Sequence, residues 1–147
     1  VSSNAERAEQ LLRALRAALD GDRDTVRALC TTDIKAWTPR LSASSLEELL
    51  AAMASRDPAF SDFVFEAHPL DVGGDFACVE WTVTMAHTGS LVLAGGEVVD
   101  PTGLRVTAIG ITVAEFRGSQ ICAVRQYWDE SMVIDQLGHV RSDRRVE

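Results

Sequence analysis

Apolar residues recur at helical spacing at the start of the chain, where Ala8, Leu11, Leu12, Leu15 and Leu19 share one face. Ser3 and Glu6 stand in the relation of a capping box, so a first amphipathic helix is expected from Ser3 to Leu19. The break from Gly21 to Asp24 restarts into a short helix, Thr25 to Cys30. A second box, Ser45 with Glu48, opens a third helix carrying Leu46, Leu49, Leu50 and Met53, with Pro58 marking its end. Beyond Pro58 the period changes to two. Phe63, Phe65 and Ala67 alternate with Val64, Glu66 and His68, and Gly73-Gly74-Asp75 turns the chain into a strand from Phe76 to His87. After a stretch punctuated by Gly89, Gly95-Gly96, Pro101 and Gly103, two long strands are expected, Leu104 to Phe116 and Gln120 to Asp129. They join over Arg117-Gly118-Ser119 and should pair. A last short helix, Ser131 to Leu137, stops at Gly138, and residues 141–147 read as a flexible charged tail.

Helices first and an antiparallel meander afterwards is the order of an α+β fold. The expectation is a single conical α+β barrel over residues 1–140, its amino-terminal helices packed on a curved antiparallel sheet. Such a cone commonly leaves a pocket, because helices do not fill the deep concave side. The two long late strands also carry apolar residues on both parities, Val106, Ala108 and Val113 among them. That is more than one covered face requires, and it predicts a homodimer through the convex face of the sheet.

Composition narrows the classes of function. Across 147 residues, 46% apolar and 24% charged side chains suit a packed soluble domain rather than a disordered chain. With 22 acidic against 14 basic residues the formal charge is -8, a field that repels phosphate backbones and anionic headgroups. Neither nucleic acid nor membrane is an expected partner. Without a bilayer-length apolar run or a basic, apolar leader, a cytoplasmic location is expected. Cys30, Cys78 and Cys122 are odd in number, far apart and in no Cys-x-x-Cys pair, so they read as buried free thiols. His68, His87 and His139 lack metal-ligand spacing, and no phosphate loop or Gly-x-Ser-x-Gly elbow occurs. No metal and no cofactor are expected.

Several runs carry a family resemblance: Glu80-Trp81-Thr82 leading to Ala86-His87-Thr88-Gly89, then Pro101-Thr102-Gly103, Ala114-Glu115-Phe116, Arg125-Gln126-Tyr127-Trp128-Asp129 and Gln136-Leu137-Gly138. The chain resembles the SnoaL-like polyketide cyclases of the nuclear transport factor two-like superfamily, which also holds ketosteroid isomerases, limonene epoxide hydrolase and scytalone dehydratase. The likeness spans nearly the whole chain and is strongest from Glu80 to Gly138. The ending at Asp129 is also similar to the last strand of limonene epoxide hydrolase. Where that enzyme has an Arg-x-Asp on an earlier strand, Trp81 to Leu91 offers His87 instead. Nor does the hydrogen-bonding tyrosine of ketosteroid isomerase have a counterpart among Trp37, Thr38 and Arg40. The resemblance therefore leaves Asp129 as general base and His87 as its partner.

Two readings of Asp129 stand side by side. Beside Trp128, partial burial would suit a carboxyl to acid/base work, whereas an Asp before Glu130 and Ser131 is also what a helix start prefers. His87 is a proton donor or acceptor at the pocket mouth if it shares a face with Trp81, Val83 and Met85; otherwise it binds the turn. Of Trp37, Trp81 and Trp128, Trp37 and Trp81 are the expected pocket walls, Trp37 because it stands between helix and sheet. Arg125, Tyr127 and Asp129 share one parity on the last strand, and Val124, Gln126 and Trp128 the other. If the first set faces inward, Arg125 and Tyr127 join Asp129 as ligand-binding groups on one wall. The function these readings suggest is a cofactor-independent enzyme acting on a small apolar carbonyl compound, as a polyketide cyclase or isomerase. Asp129 would remove a C–H proton, and His87 or Tyr127 would steady the enolate oxygen. A noncatalytic binder of small hydrophobic molecules and a protein-interaction adaptor of the same fold are the alternatives.

Overall fold

A computed structural model describes residues 4–54 and 58–138. Helix α1 is Asn4–Asp20 and α2 is Arg23–Leu29; strands β1, Cys30–Thr38, and β2, Leu41–Ala43, follow. Helix α3 is Leu46–Ala54. Strands β3, Phe60–Leu70, and β4, Phe76–His87, come next. The short pair β5, Leu91–Val92, and β6, Val98–Val99, leads to β7, Arg105–Arg117, β8, Gln120–Trp128, and helix α4, Glu130–Gln136. Six strands form one curved sheet in the order β2-β1-β8-β7-β4-β3. The helices pack on its concave side, giving the expected α+β cone.

Two features depart from the expected meander. Strands β1 and β2 were not predicted, and β1 runs parallel to β8, so one pairing of the sheet is parallel. The stretch Thr31-Thr32-Asp33 of β1 is too polar to show a period of two, and after Cys30 and Thr31 only Ile34 and Ala36 are buried. The second helix begins two residues earlier than expected, because Asp22 caps it by accepting from the Thr25 backbone N–H at 3.2 Å. The box at α3 forms with a shift. Ser45 Oγ accepts from the Glu48 N–H, while the Glu48 carboxylate takes the N–H of Ser44 rather than that of Ser45. Ser3, the expected cap of α1, and the tail from 141 lie outside the described residues, as does His139.

Helix placement sets the site. Helix α1 packs chiefly on β4 and β3, and α3 on β1 and β2, which leaves the inward face of β8 between them. At the narrow end Leu11, Val26, Ile34, Leu46, Leu50, Val79, Phe116 and Ile121 form one core cluster. Toward the wide end Trp81, Val83, Met85, Leu91, Val106, Val133 and Leu137 form a second, and Leu15 and Ala67 touch both. Arg7 ties α1 to the β3–β4 turn, donating to the Gly74 carbonyl at 2.8 Å and to Asp75 at 3.2 Å. No described helix is long and apolar enough to cross a membrane. All three cysteines are free, Cys30 and Cys78 buried and Cys122 half-buried.

Candidate functional site

The facing of β8 is decided by a bulge. Phe116 pairs with Ile121, but Glu115 pairs with Ala123, so Cys122 is an extra residue that turns the strand by one parity. Ile121 faces the core, and beyond the bulge so do Val124, Gln126 and Trp128. Arg125 and Tyr127 point to the outer face instead, where both are exposed. Trp37, paired with Arg125 across β1 and β8, shares that face and lies tilted against Tyr127 at 5.4 Å between ring centroids. The expected pocket wall of Trp37, Tyr127 and Arg125 is therefore corrected: the three sit together, but on the convex side.

The concave wall carries a different polar set. Trp81, buried on β4, donates its indole Nε1–H to the hydroxyl of Thr112 on β7 at 2.9 Å. Gln126 on β8 donates to the same hydroxyl at 3.3 Å. The three form a polar line across β4, β7 and β8, at the seam between the two core clusters. Thr112 is wholly buried, whereas Gln126 is only half-buried; its second amide N–H and its carbonyl oxygen have no partner among the described residues. Along β8, Val124 and Trp128 are likewise half-buried, as are Leu15 on α1 and Leu49 and Met53 on α3. These half-buried apolar side chains pack against the two core clusters on the concave side, with the Gln126 carboxamide on the inward face of β8 beside Val124 and Trp128. A small hollow of about 90 Å³ lies between α1 and β3, lined by Arg16, Leu19, Asp20, Phe63 and Phe65.

Asp129 follows Trp128 where the chain leaves β8 for α4, on the parity of Arg125 and Tyr127. Its carboxylate is exposed and caps α4, Oδ1 accepting the Ser131 N–H at 2.9 Å, which is the cap arrangement anticipated as one of its two readings. Its Oδ2 has no partner among the described residues. Beside it Glu130 pairs with Arg40 at 2.6 Å, and Arg40 also donates to the Val92 carbonyl, tying the β1–β2 turn, α4 and β5 together.

His87 lies inward with Trp81, Val83 and Met85, wholly buried and tilted against the Phe60 ring at 5.4 Å. The Thr102 backbone N–H donates to Nδ1 at 3.2 Å, which makes Nδ1 an acceptor and puts the proton of the neutral ring on Nε2. The Thr102 hydroxyl, 3.0 Å from the same nitrogen, accepts in turn from the Leu104 N–H. Nε2 has no partner among the described residues. The strand register separates His87 from Asp129. Trp128 is level with Gly110 and Trp81, so His87 stands about five residues further on, roughly 17 Å along the strand direction. The two expected catalytic residues are not brought together.

Comparison with known proteins follows the fold. A family model described as SnoaL-like polyketide cyclase matches residues 9–137. No curated protein matches the sequence. Among solved structures, the chain is similar to AclR from Streptomyces galilaeus, a proposed hydroxylase, at 24% identity and a TM-score of 0.73, covering 92% of this chain and 98% of that one. It is similar to a proposed SnoaL-like polyketide cyclase from Jannaschia sp. CCS1 at 23% identity and a TM-score of 0.74, covering 90% and 92%. With TsrD from Streptomyces laurentii the identity is 18% and the TM-score 0.76, covering 95% and all of that chain. At these identities the likeness carries the fold alone.

Proposed function

Because the chain belongs to the SnoaL-like polyketide cyclase family, we propose that it is a cofactor-independent enzyme that binds a flat, apolar carbonyl compound against the inward face of β8. The observation that carries this reading is the line Trp81–Thr112–Gln126 set into an otherwise apolar concave wall. A polar group inside such a wall is costly unless it is paired. Thr112 pairs with its neighbours, and the free groups of Gln126 are left for a ligand. Apolar walls with one or two placed polar groups are what a small-molecule site needs to fix orientation.

In this reading the Gln126 amide N–H holds the ligand oxygen, on which negative charge builds as a neighbouring C–H proton leaves. Asp129, where the chain turns from β8 into α4, accepts that proton on Oδ2, which has no partner among the described residues. Ring closure or double-bond shift of the resulting enolate would follow. His87 stands outside this site and takes no step in it.

The test uses anthrone, a flat tricyclic ketone. Titrated into the protein, it should quench tryptophan fluorescence saturably, because Trp81 and Trp128 both stand on the concave side. Gln126→Leu keeps the size of the side chain and should weaken that binding about tenfold, the worth of one hydrogen bond of the stronger sort. Quenching that fails to saturate, or that Gln126→Leu leaves unchanged, refutes the assignment of the site.

A further inference from the structure

His87 grips the chain that enters β7 through both its backbone and its ring. Its N–H donates to the Leu104 carbonyl and its carbonyl accepts from the Gly103 N–H, both at 2.9 Å. The ring adds Nδ1, which accepts the Thr102 N–H at 3.2 Å and lies 3.0 Å from the Thr102 hydroxyl. Thr102, Gly103 and Leu104 are exposed, and the imidazole they hold is wholly buried. This turn ends a longer segment, residues 91–104, that carries β5 and β6 and lays Leu91, Leu93 and Val99 on the wide-end cluster. Near its start Arg40 holds the Val92 carbonyl at 3.0 Å. The root of the segment needs neither grip, because the N–H groups of Thr88 and Gly89 both donate to the Ala59 carbonyl, at 3.1 and 3.0 Å.

The closed arrangement has room for one ring proton. Nδ1 faces a backbone N–H, which can only donate, so a second proton there would set donor against donor. The Thr102 hydroxyl, already accepting from the Leu104 N–H, offers the nearest oxygen, but the amide would still face a cation. Nε2 has no partner among the described residues, and the ring lies tilted against Phe60. The charged groups on the elements around the ring have other surroundings. Asp62 of β3 and Arg105 of β7 pair with each other at 2.8 Å, beside Ala86 and on the opposite parity of β4. Glu130 of α4 is bound to Arg40, and Asp135 is exposed; Arg16 of α1 lies over the Phe65 ring, and Asp20 is exposed. Glu97 and Asp100, on the segment itself, are exposed. An imidazolium here would be buried without a counter-ion, a costly state. Once the segment lifts, water and the second proton both reach the ring. The open form then binds one proton more, so a fall in pH favours it.

We propose that His87 is a pH-sensitive fastener. Its neutral ring holds residues 91–104 on the wide-end cluster, and a second ring proton lets that segment lift and bares the cluster, in the range between pH 7 and 5 where imidazole takes up its proton. The lifting is local, since β7 from Arg105 onward stays paired with β4 whatever the ring does. His87 takes no step in the reaction proposed above, so the fastener stands or falls apart from it.

The test uses the full chain carrying His68→Gln and His139→Gln, which leaves His87 as its one imidazole. Amide exchange at Thr102 and Gly103, corrected for the intrinsic rate at each pH, should lose protection by about eightfold between pH 7.0 and 5.5. That is the most that one proton on a free imidazole adds over this range. Val79 and Ile121, in the narrow-end core, should keep theirs. His87→Asn sets a carboxamide oxygen near the place of Nδ1, where it accepts the Thr102 N–H and takes no proton, so its protection should be the same at both pH values. Protection that stays flat in the histidine protein, or falls equally in the asparagine variant, overturns the fastener. Should the variant fail to fold, nitrogen-15 signals of the His87 ring decide. The second ring proton should appear only as the Thr102 amide loses protection, and a doubly protonated ring beneath a protected Thr102 amide overturns the proposal.

Discussion

Trp81 spans the concave side of the sheet to reach Thr112, and the 2.9 Å bond between indole N–H and hydroxyl fixes the indole against β7. The hydroxyl receives Gln126 as well, so a single oxygen organises two side chains from the strands on either side of it. Thr112→Val preserves the shape and removes the acceptor. It leaves a buried indole N–H unpaired, at a cost of about 1 to 3 kcal/mol, and frees the Gln126 amide to turn. Urea denaturation should show a loss in that range. Equal stability of the variant would mean that water already shares the site with the indole.

Gly110 is the residue that lets Trp81 lie where it does. A Cβ built there would stand 2.4 Å from Trp81 Cζ2 and 2.7 Å from the Tyr127 carbonyl oxygen. Gly110→Ala must therefore push the indole off its line to Thr112, and the backbone of β8 gives little room for a compensating shift. The expected loss is at the upper end of the roughly 1 to 3 kcal/mol typical of overpacking, accompanied by a red-shifted tryptophan emission. A variant with wild-type emission and stability would show that the ring is looser than its contacts imply.

How much of this was legible in the sequence depends on which physics each element rests on. The long strands β4, β7 and β8 and the helices α1 and α3 follow from apolar period and capping residues, which are local properties. The parallel pairing of β1 with β8 is not local, and Thr31-Thr32-Asp33 hides the strand that makes it. For the site, the bulge at Cys122 was the missing piece: it inverts the parity of everything after it, and no residue type at that position announces it. Hence Tyr127 and Arg125 went to the outer face and Gln126 to the concave one, while Trp37 on β1 and Thr112 on β7 take their faces from the parity of their own strands. Trp81 and His87 were placed by strand parity alone, and both face inward.

Burial against Ile34 and Ile121 pushes the Cys30 thiol up from an ordinary value of 9.0 to about 11. A thiol that titrates higher in the folded than in the unfolded chain binds more protons when folded. Its contribution to stability is complete below pH 9 and disappears as the pH rises through 11, a loss of about 2 to 3 kcal/mol once both forms are ionised. Cys30→Ala should start less stable at pH 8, from the smaller side chain, and lose less between pH 8 and 11 than the wild type does. Parallel urea-midpoint curves for the two proteins over that range would contradict the buried thiol. Over the same range, iodoacetamide should label half-buried Cys122 well before Cys30.

Asp129 carries two jobs in the proposal, and two substitutions separate them. Asparagine caps a helix about as well as aspartate, so Asp129→Asn should keep the Ser131 bond and the stability of α4. Alanine removes the cap and should cost about 1 kcal/mol. Neither replacement can accept a proton. If Oδ2 is the base, the wild-type protein should speed the exchange of the acidic ring C–H of anthrone with deuterated solvent above the buffer rate, and both variants should lose that excess by roughly 10² to 10⁴. The exchange needs no knowledge of the natural substrate, because it reads only removal of a ring C–H proton that the carbonyl acidifies through the conjugated rings. An Asp129→Asn protein that exchanges as fast as the wild type would reduce Asp129 to its cap. Fluorescence quenching by anthrone, which depends on Gln126 and the apolar side chains beside it, should be unchanged in that variant, so loss of the base and loss of binding remain distinguishable.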